Sequence, residues 1–318
     1  MELILTELCG QFLKEWRDTQ PYITAHTSGS TGTPKEIRLL KADMRASARA
    51  TNEFFGITQD STLLLPLSAD YIAGKMQVVR ALDAGCSLIA EDPSSAPYSH
   101  FEGHATMMPV VPSQLEGWLA SGCTRMVGNL LIGGSPLSPD MERRLIDARV
   151  KAFVSYGMTE TCSHVALRRV GDDFYTGLPG FSFSTDERGC LVIDTTTLSF
   201  GRLVTNDVVE LRDATSFKWL GRADNVINSG GVKIHPEEIE KVIAEIVPSA
   251  AEFYVSSRQS AKWGREAVVV TTADEQTFPD AVLDFLAQRT GRRLIKDVIR
   301  VARIEKTASG KLKRERLD

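Results

Sequence analysis

The sequence predicts a layered α/β N-terminal domain with a β-rich subdomain, followed by a small α+β C-terminal domain. Three patterns carry this. Between 61 and 156, short continuous apolar runs alternate with helical stretches, and such runs are strands of a largely buried α/β sheet. From about 173 to 220 the helical stretches stop, and strand-like runs follow one another between turns. Beyond 222, amphipathic helices interleave with apolar runs again. A length of 318 residues agrees with two domains of about 150 residues each. The expected domains are 1–221, whose β-rich part is about 173–220, and 222–318.

The elements follow in order. Leu63-Leu64-Leu65, Ser87-Leu88-Ile89, Thr106-Met107-Met108, Leu130-Leu131-Ile132 and Ala152-Phe153-Val154 are the expected buried strands. Ser138-Pro139-Asp140 supplies a cap, a proline at the first helical position and an acid in the first turn, opening a helix to Arg149. Leu191-Val192-Ile193, Leu203-Val204-Thr205 and the run 208–211 are the strands of the β-rich part. After a boundary at 221–224, His235-Pro236-Glu237-Glu238 begins a helix. Its Ile239, Val242, Ile243 and Ile246 fall at i, i+3, i+4 and i+7, one apolar face. Strands around Phe253 and Val268, a helix from Pro279 to about Gln288 and a strand over 298–304 complete the unit.

The chain carries 37 basic and 41 acidic side chains, a net charge of −4, and is 42% hydrophobic and 25% charged. Those proportions are near the globular average and exclude disorder, collagen or coiled coil for the chain as a whole. The slight acidity gives no general attraction to phosphate backbones, so no nucleic-acid partner is expected. No apolar run approaches the roughly 20 residues that span a bilayer. Residues 1–8 hold Glu2 and Glu7 and no basic stretch, so neither membrane insertion nor a signal peptide is expected. The five cysteines (Cys9, Cys86, Cys123, Cys162, Cys190) are scattered and form no C-x-x-C pair. That usage suits a reducing, cytoplasmic setting and neither a disulfide framework nor a zinc ribbon.

Four segments bear chemistry. Thr27-Ser28-Gly29-Ser30-Thr31-Gly32-Thr33-Pro34-Lys35 follows an apolar-leaning approach, 22–25. Its glycines let backbone N–H groups converge on an anion, and its hydroxyls add donors. A P-loop is excluded because the second glycine of that signature falls at Pro34. Tyr156-Gly157-Met158-Thr159-Glu160-Thr161 follows a strand, at the end where α/β folds bind ligands. An aromatic there can stack on a base, and a carboxylate can hold Mg²⁺ together with phosphates. Gly133-Gly134-Ser135-Pro136 is a further turn that lets backbone approach a ligand. The third segment runs from Gly221-Arg222-Ala223-Asp224-Asn225 to Asn228-Ser229-Gly230-Gly231-Val232-Lys233, on the domain boundary, where small residues absorb the dihedral changes of a hinge. The fourth is Glu305-Lys306-Thr307-Ala308-Ser309-Gly310-Lys311, a loop with a lysine behind a glycine. His100 and His104 have i, i+4 spacing, but Phe101 and Gly103 argue against a zinc helix. Trp263-Gly264 reads as turn and packing.

Taken in order, these segments resemble the adenylate-forming superfamily of acyl-CoA synthetases, adenylation domains and luciferases. The resemblance runs from Thr27 to Arg314 and implies a site residue by residue. Thr27, Ser28, Gly29, Ser30, Thr31, Gly32 and Lys35 resemble the phosphate loop, with Thr31 among the catalytic groups. Tyr156, Gly157, Met158 and Thr159 resemble the adenine-stacking motif, with Glu160 on Mg²⁺ and Gly133, Gly134 and Ser135 beside the nucleotide. Thr205-Asn206-Asp207 resembles the ribose-binding T-G-D with Asn206 in place of glycine, and Arg222 lies nearby. Lys311 resembles the catalytic lysine. Members usually carry well over a hundred residues before the phosphate loop, and here 26 precede it. The resemblance therefore implies that a subdomain packing on the α/β layer is largely absent. The apolar surface so uncovered favours a homodimer.

The implied activity is ATP-dependent conversion of a carboxylic acid to an acyl-adenylate, then transfer to CoA. The small domain would be a mobile lid. Its rotation about Asp224 would withdraw Lys311 and bring Ser229, Gly230 and Gly231 to the site. Pro66 to Gly74 resembles the acyl-pocket segment of the family, with Tyr71 where histidine is usual and Gly157 across the pocket. Tyr71-Ile72-Ala73-Gly74-Lys75 and 224–233 look most like the o-succinylbenzoate–CoA ligases of menaquinone synthesis. Their substrate is a dianion, so the carboxylate that is not activated needs a cation, and Lys75, then Arg80, are the candidates. Two alternatives stand: activation of another acid or transfer to a carrier protein, and a non-catalytic nucleotide binder.

Overall fold

The computed structural model describes residues 2–26, 36–248, 251–306 and 312–317. In chain order the first part comprises β1 (Leu3–Ile4), α1 (Glu7–Arg17), β2 (Tyr22–His26), β3 (Glu36–Leu40), α2 (Lys41–Phe55), β4 (Thr62–Leu65) and α3 (Ile72–Ala84). It continues with β5 (Ser87–Ala90), β6 (Ala105–Val110), α4 (Pro112–Ala120), β7 (Val127–Ile132), α5 (Pro139–Asp147) and β8 (Ala152–Gly157). Strands β1, β5, β4, β6, β7 and β8 lie side by side in that order, all parallel. The run Leu63-Leu64-Leu65 shows why such strands read as continuously apolar. All three are fully buried, and alternate residues point to opposite faces. Leu63 and Leu65 meet a core with Phe12, Met44 and Met76 from α1–α3. Leu64 meets one with Leu115, Trp118 and Leu145 from α4 and α5. The expected cap of α5 is present, Ser138 accepting from the Met141 N–H at 3.2 Å.

The β-rich run does not make a sheet of its own. Strands β9 (His164–Arg169), β10 (Tyr175–Gly177), β11 (Phe181–Thr185), β12 (Cys190–Thr195), β13 (Arg202–Asp213) and β14 (Ser216–Arg222) continue the parallel sheet. The order after β8 is β9-β10-β14-β13-β12-β11, antiparallel throughout, in one 12-stranded sheet. The two separate strands expected at 203–205 and 208–211 are one strand, β13, carried through a register shift between Val208 and Val209. The hairpin of β2 and β3 stands apart, with His26 opposite Glu36.

The C-terminal part has its own core. It holds β15 (Ile227–Ser229), β16 (Val232–Ile234), α6 (Pro236–Ile243), β17 (Phe253–Ser260), β18 (Gly264–Thr271), α7 (Val282–Thr290) and β19 (Ile295–Arg300). Ile239, Ile243, Val255, Val269, Phe278 and Leu286 pack together there. Helix α6 ends at Ile243, so Ile246 leaves the predicted apolar face and is 43% exposed, while Val247 is buried instead. Helix α7 starts three residues later than expected, because Pro279 to Ala281 form short turns, with the Val282 N–H donating to the Pro279 carbonyl at 3.0 Å. The last strand is earlier than expected, since β19 pairs in parallel with β18, Ile295 beside Ala267 and Arg300 beside Thr271. Ile304 belongs to a small separate cluster with Tyr254 and Val270. No helix of the described residues is long and apolar enough to cross a membrane.

Candidate active site

Strands β7 and β8 are parallel neighbours, so Gly133-Gly134-Ser135 and Gly157-Met158 leave the sheet side by side at its carboxyl edge. After β8 the chain makes a tight turn over Thr159–Thr161. Gly157 is required there: a Cβ would lie 2.3 Å from the Ser163 carbonyl oxygen and 2.5 Å from the His164 Cα. The Thr161 hydroxyl, fully buried, accepts from the Met158 N–H at 3.0 Å and donates to the Ser163 carbonyl at 2.6 Å. That clamp leaves Glu160 exposed on the turn, and β3 packs beside it.

Tyr156, at the end of β8, reaches across the sheet. Its hydroxyl donates to Asp207 Oδ2 at 2.7 Å, and Trp219 Nε1 donates to Asp207 Oδ1 at 3.2 Å. The pairing of β13 with β14 sets Asp207 opposite Arg222, whose guanidinium lies 3.8 Å from Oδ1. The Tyr156 ring stands edge-on to Phe217 and Tyr175, at centroid distances of 5.0 and 5.8 Å. Burial, and then the neighbouring carboxylate, raise the Tyr156 phenol far above its usual range, so it remains a donor. Thr205 supports Asp207 from below, its Oγ accepting from the Asp207 N–H at 3.1 Å. Asn206 uses its extra side chain on Arg188, 3.0 Å, and Asp224, 3.4 Å.

The phosphate-loop residues Thr27, Ser28, Gly29, Ser30, Thr31, Gly32 and Lys35, and Lys311, lie outside the described residues. The flanks of the loop are placed, since His26 and Glu36 are paired.

The acid-side candidates separate. Tyr71 is 69% exposed at the start of α3. Lys75 turns towards α1: its Nζ lies 3.3 Å from Glu15 and 4.7 Å from the centre of the Phe12 ring. Arg80 is different. It is 1% exposed, donates to Gln77 Oε1 at 3.2 Å and to Ser163 Oγ at 2.8 Å, and its Nε has no partner among the described residues. Burial pushes its pKa down to about 9. Charged side chains this deep normally have an ionic partner, and no salt bridge among the described residues includes Arg80.

On the C-terminal side, Asp224, Gly230 and Gly231 line a cleft of about 600 Å³ together with Trp263, Arg265 and Arg316. Gly230 has a positive φ of 58°, and a Cβ there would come within 2.4 Å of the Trp263 ring. Ser229 pairs with Val232 across the β15–β16 hairpin. Trp263 is packing, as read from the sequence, yet it stays 38% exposed between Lys262 and Lys296. Sequence reasoning missed Trp219 and Ser163 as members of the site, and His164 behind Ser163. The pair 163–164 directly follows the Tyr156 motif, whereas nothing short of strand register points to Trp219.

Strand ends that open through glycine turns beside an anchored tyrosine form a crevice of the kind in which α/β enzymes bind their ligands. More narrowly, the chain belongs to the AMP-binding enzyme family, whose model matches residues 11–206. It is 28% identical over 330 residues to 2-succinylbenzoate–CoA ligase of Enterococcus faecalis, covering 92% of this chain and 68% of that protein. It is also 28% identical over 341 residues to indoleacetate–CoA ligase of Aromatoleum aromaticum, covering 93% and 66%. Among solved structures, it resembles an acyl-CoA synthetase (AMP-forming)/AMP-acid ligase II-like protein from Dyadobacter fermentans. That match has 32% identity and a TM-score of 0.66, and covers 96% of this chain and 91% of the other.

Proposed function

We propose that this protein activates a carboxylic acid with ATP and passes the acyl group to CoA, and that the acid is a dianion of the o-succinylbenzoate kind. A carboxylate is a poor electrophile. Attack of its oxygen on the α-phosphorus of ATP expels pyrophosphate and gives an acyl-adenylate, from which a CoA thiolate displaces AMP. The protein's work is positioning and charge neutralisation. Tyr156 presents its ring to adenine, and Asp207 accepts from the ribose hydroxyls with the lone pairs that Tyr156 and Trp219 leave free. Ser28, Ser30, Thr31 and Lys35 hold the β- and γ-phosphates, and Lys311 spans the acid carboxylate and the α-phosphate. The exposed Glu160 fits Mg²⁺, which uses one or two carboxylates and substrate phosphates rather than a full protein cage. Bound there, the ion neutralises phosphate charge. The cleft beside Ser229, Gly230 and Gly231 would receive part of CoA.

The observation that carries the choice of acid is Arg80, a buried cation beside Ser163 with no counter-ion among the described residues. Lys75 is engaged by Glu15, so the second carboxylate is assigned to Arg80. The similarity to indoleacetate–CoA ligase supports a second reading, a monoanionic aryl acid. Pyrophosphate release with o-succinylbenzoate, indoleacetate and benzoate separates the two. The proposal expects kcat/KM to favour the dianion by about a hundred-fold, the scale of a buried charge-assisted contact. Equal values for all three acids would reject it.

Tyr156→Phe keeps the ring and removes the bond to Asp207. It should raise KM for ATP about ten-fold, the scale of one hydrogen bond to a charged group, and leave KM for the acid unchanged. An unchanged KM for ATP would remove the anchoring role.

A further inference from the structure

Behind the Tyr156 loop, a buried chain of hydrogen bonds ends on Arg80. The Thr51 hydroxyl donates to the Ser47 carbonyl at 3.0 Å, which uses its one proton. Its 3.1 Å contact with His164 Nε2 must therefore be a bond donated by Nε2–H. A neutral imidazole protonated at Nε2 has a bare Nδ1, so the 3.3 Å contact with Ser163 is donated by the Ser163 hydroxyl. With its proton turned towards His164, Ser163 Oγ offers lone pairs to Arg80 Nη2 at 2.8 Å. His164 is buried, and burial, then the charge of Arg80, hold its pKa well below the usual value. His164 sits beside Gly157 with its ring turned away from the turn, towards Thr51 and Ser163.

We propose that His164 is a positioning residue: it fixes the Ser163 hydroxyl as an acceptor and so holds Arg80 in place for the second carboxylate of a dianionic acid. This rests on the reading of Arg80 given above. A proton on Nδ1 would reverse the chain, because Ser163 could no longer donate to the ring, and if Nε2 kept its own proton it would also set a second cation beside Arg80. Neutral His164 therefore gives the arginine a single orientation. The partly exposed Ser163 is the side from which a ligand can reach the pair.

Two substitutions divide the ring's roles. In His164→Asn the side-chain oxygen can take the place of Nδ1 and still accept from Ser163. In His164→Gln the amide can reach Thr51 but leaves Ser163 without its acceptor. His164→Gln should raise KM for o-succinylbenzoate about ten-fold, with kcat and the KM values for ATP and indoleacetate unchanged. His164→Asn should stay close to wild type. Equal effects of both variants, or equal effects on both acids, would reduce His164 to packing and overturn the proposal. A second readout does not depend on activity. Imidazole ¹⁵N shifts should show His164 neutral and protonated at Nε2 at neutral pH, and a ring protonated at Nδ1 would overturn the chain by itself. If the wild type shows no preference for the dianion while the Nε2–H ring is seen, the Arg80 reading has failed and the chain is only structural.

Discussion

Arg80→Met is expected to make the folded protein more stable and, in the same variant, to abolish preference for a dianionic acid. The guanidinium is 1% exposed, with burial pushing its pKa down to about 9 and no carboxylate paired with it among the described residues. Removing a buried charge in favour of an apolar chain of similar length commonly stabilises by about 1–4 kcal/mol. Some of that gain is lost, because Gln77 Oε1 and Ser163 Oγ surrender a donor. The net expectation is a Tm higher by about 2 °C or more. KM for o-succinylbenzoate should rise at least about a hundred-fold, since a buried charge pair loses one member, and KM for ATP should hold. The gain also depends on pH. Below about pH 9 Arg80 is charged in both folded and unfolded chains, and its burial penalty is fully present. Above that, the folded chain releases the proton first, so the unfolded state binds more protons and stability rises with pH. The Tm difference between variant and wild type should therefore narrow between pH 9 and 10. A less stable variant with an unchanged KM would mean that Arg80 is an ordinary packing residue.

Lys311→Ala carries the other large effect. Negative charge accumulates where the acid oxygen joins the α-phosphate, and one well-placed donor at such a point supplies about 10²–10³ in rate. Pyrophosphate release should fall by that factor. Conversion of a supplied acyl-adenylate to the thioester should persist, because the lid rotation implied by the family resemblance withdraws Lys311 before CoA attacks. Equal loss of both half-reactions would contradict a role confined to adenylation.

The strands that bury both faces were legible, since Leu63-Leu64-Leu65 needs no partner information to read as interior. The same holds for Ser138-Pro139-Asp140, whose cap acts within one turn. Local sequence does not carry what depends on distant partners. The β-rich run joins the main sheet because β9 pairs with β8 in antiparallel fashion, and nothing local distinguishes that from a separate sheet. The end of α6 is decided by Val247 turning inward, and the limits of β19 by its register on β18. The site divides in the same way. Tyr156 and Asp207 stand out in sequence as motif residues, but the bond between them spans 51 positions. Lys75 ranks ahead of Arg80 as the cation on that helix until tertiary packing gives Glu15 to the first and Ser163 to the second.

In the proposed function, acid activation passes through an adenylate and finishes on CoA. The most direct measurement mixes the full chain with ATP, Mg²⁺ and o-succinylbenzoate, quenches within a single turnover and identifies the products by mass. The expected products are o-succinylbenzoyl-AMP and pyrophosphate without CoA, and o-succinylbenzoyl-CoA and AMP once CoA is added. ATP binding with no adenylate from this acid, indoleacetate or benzoate would contradict the proposed function.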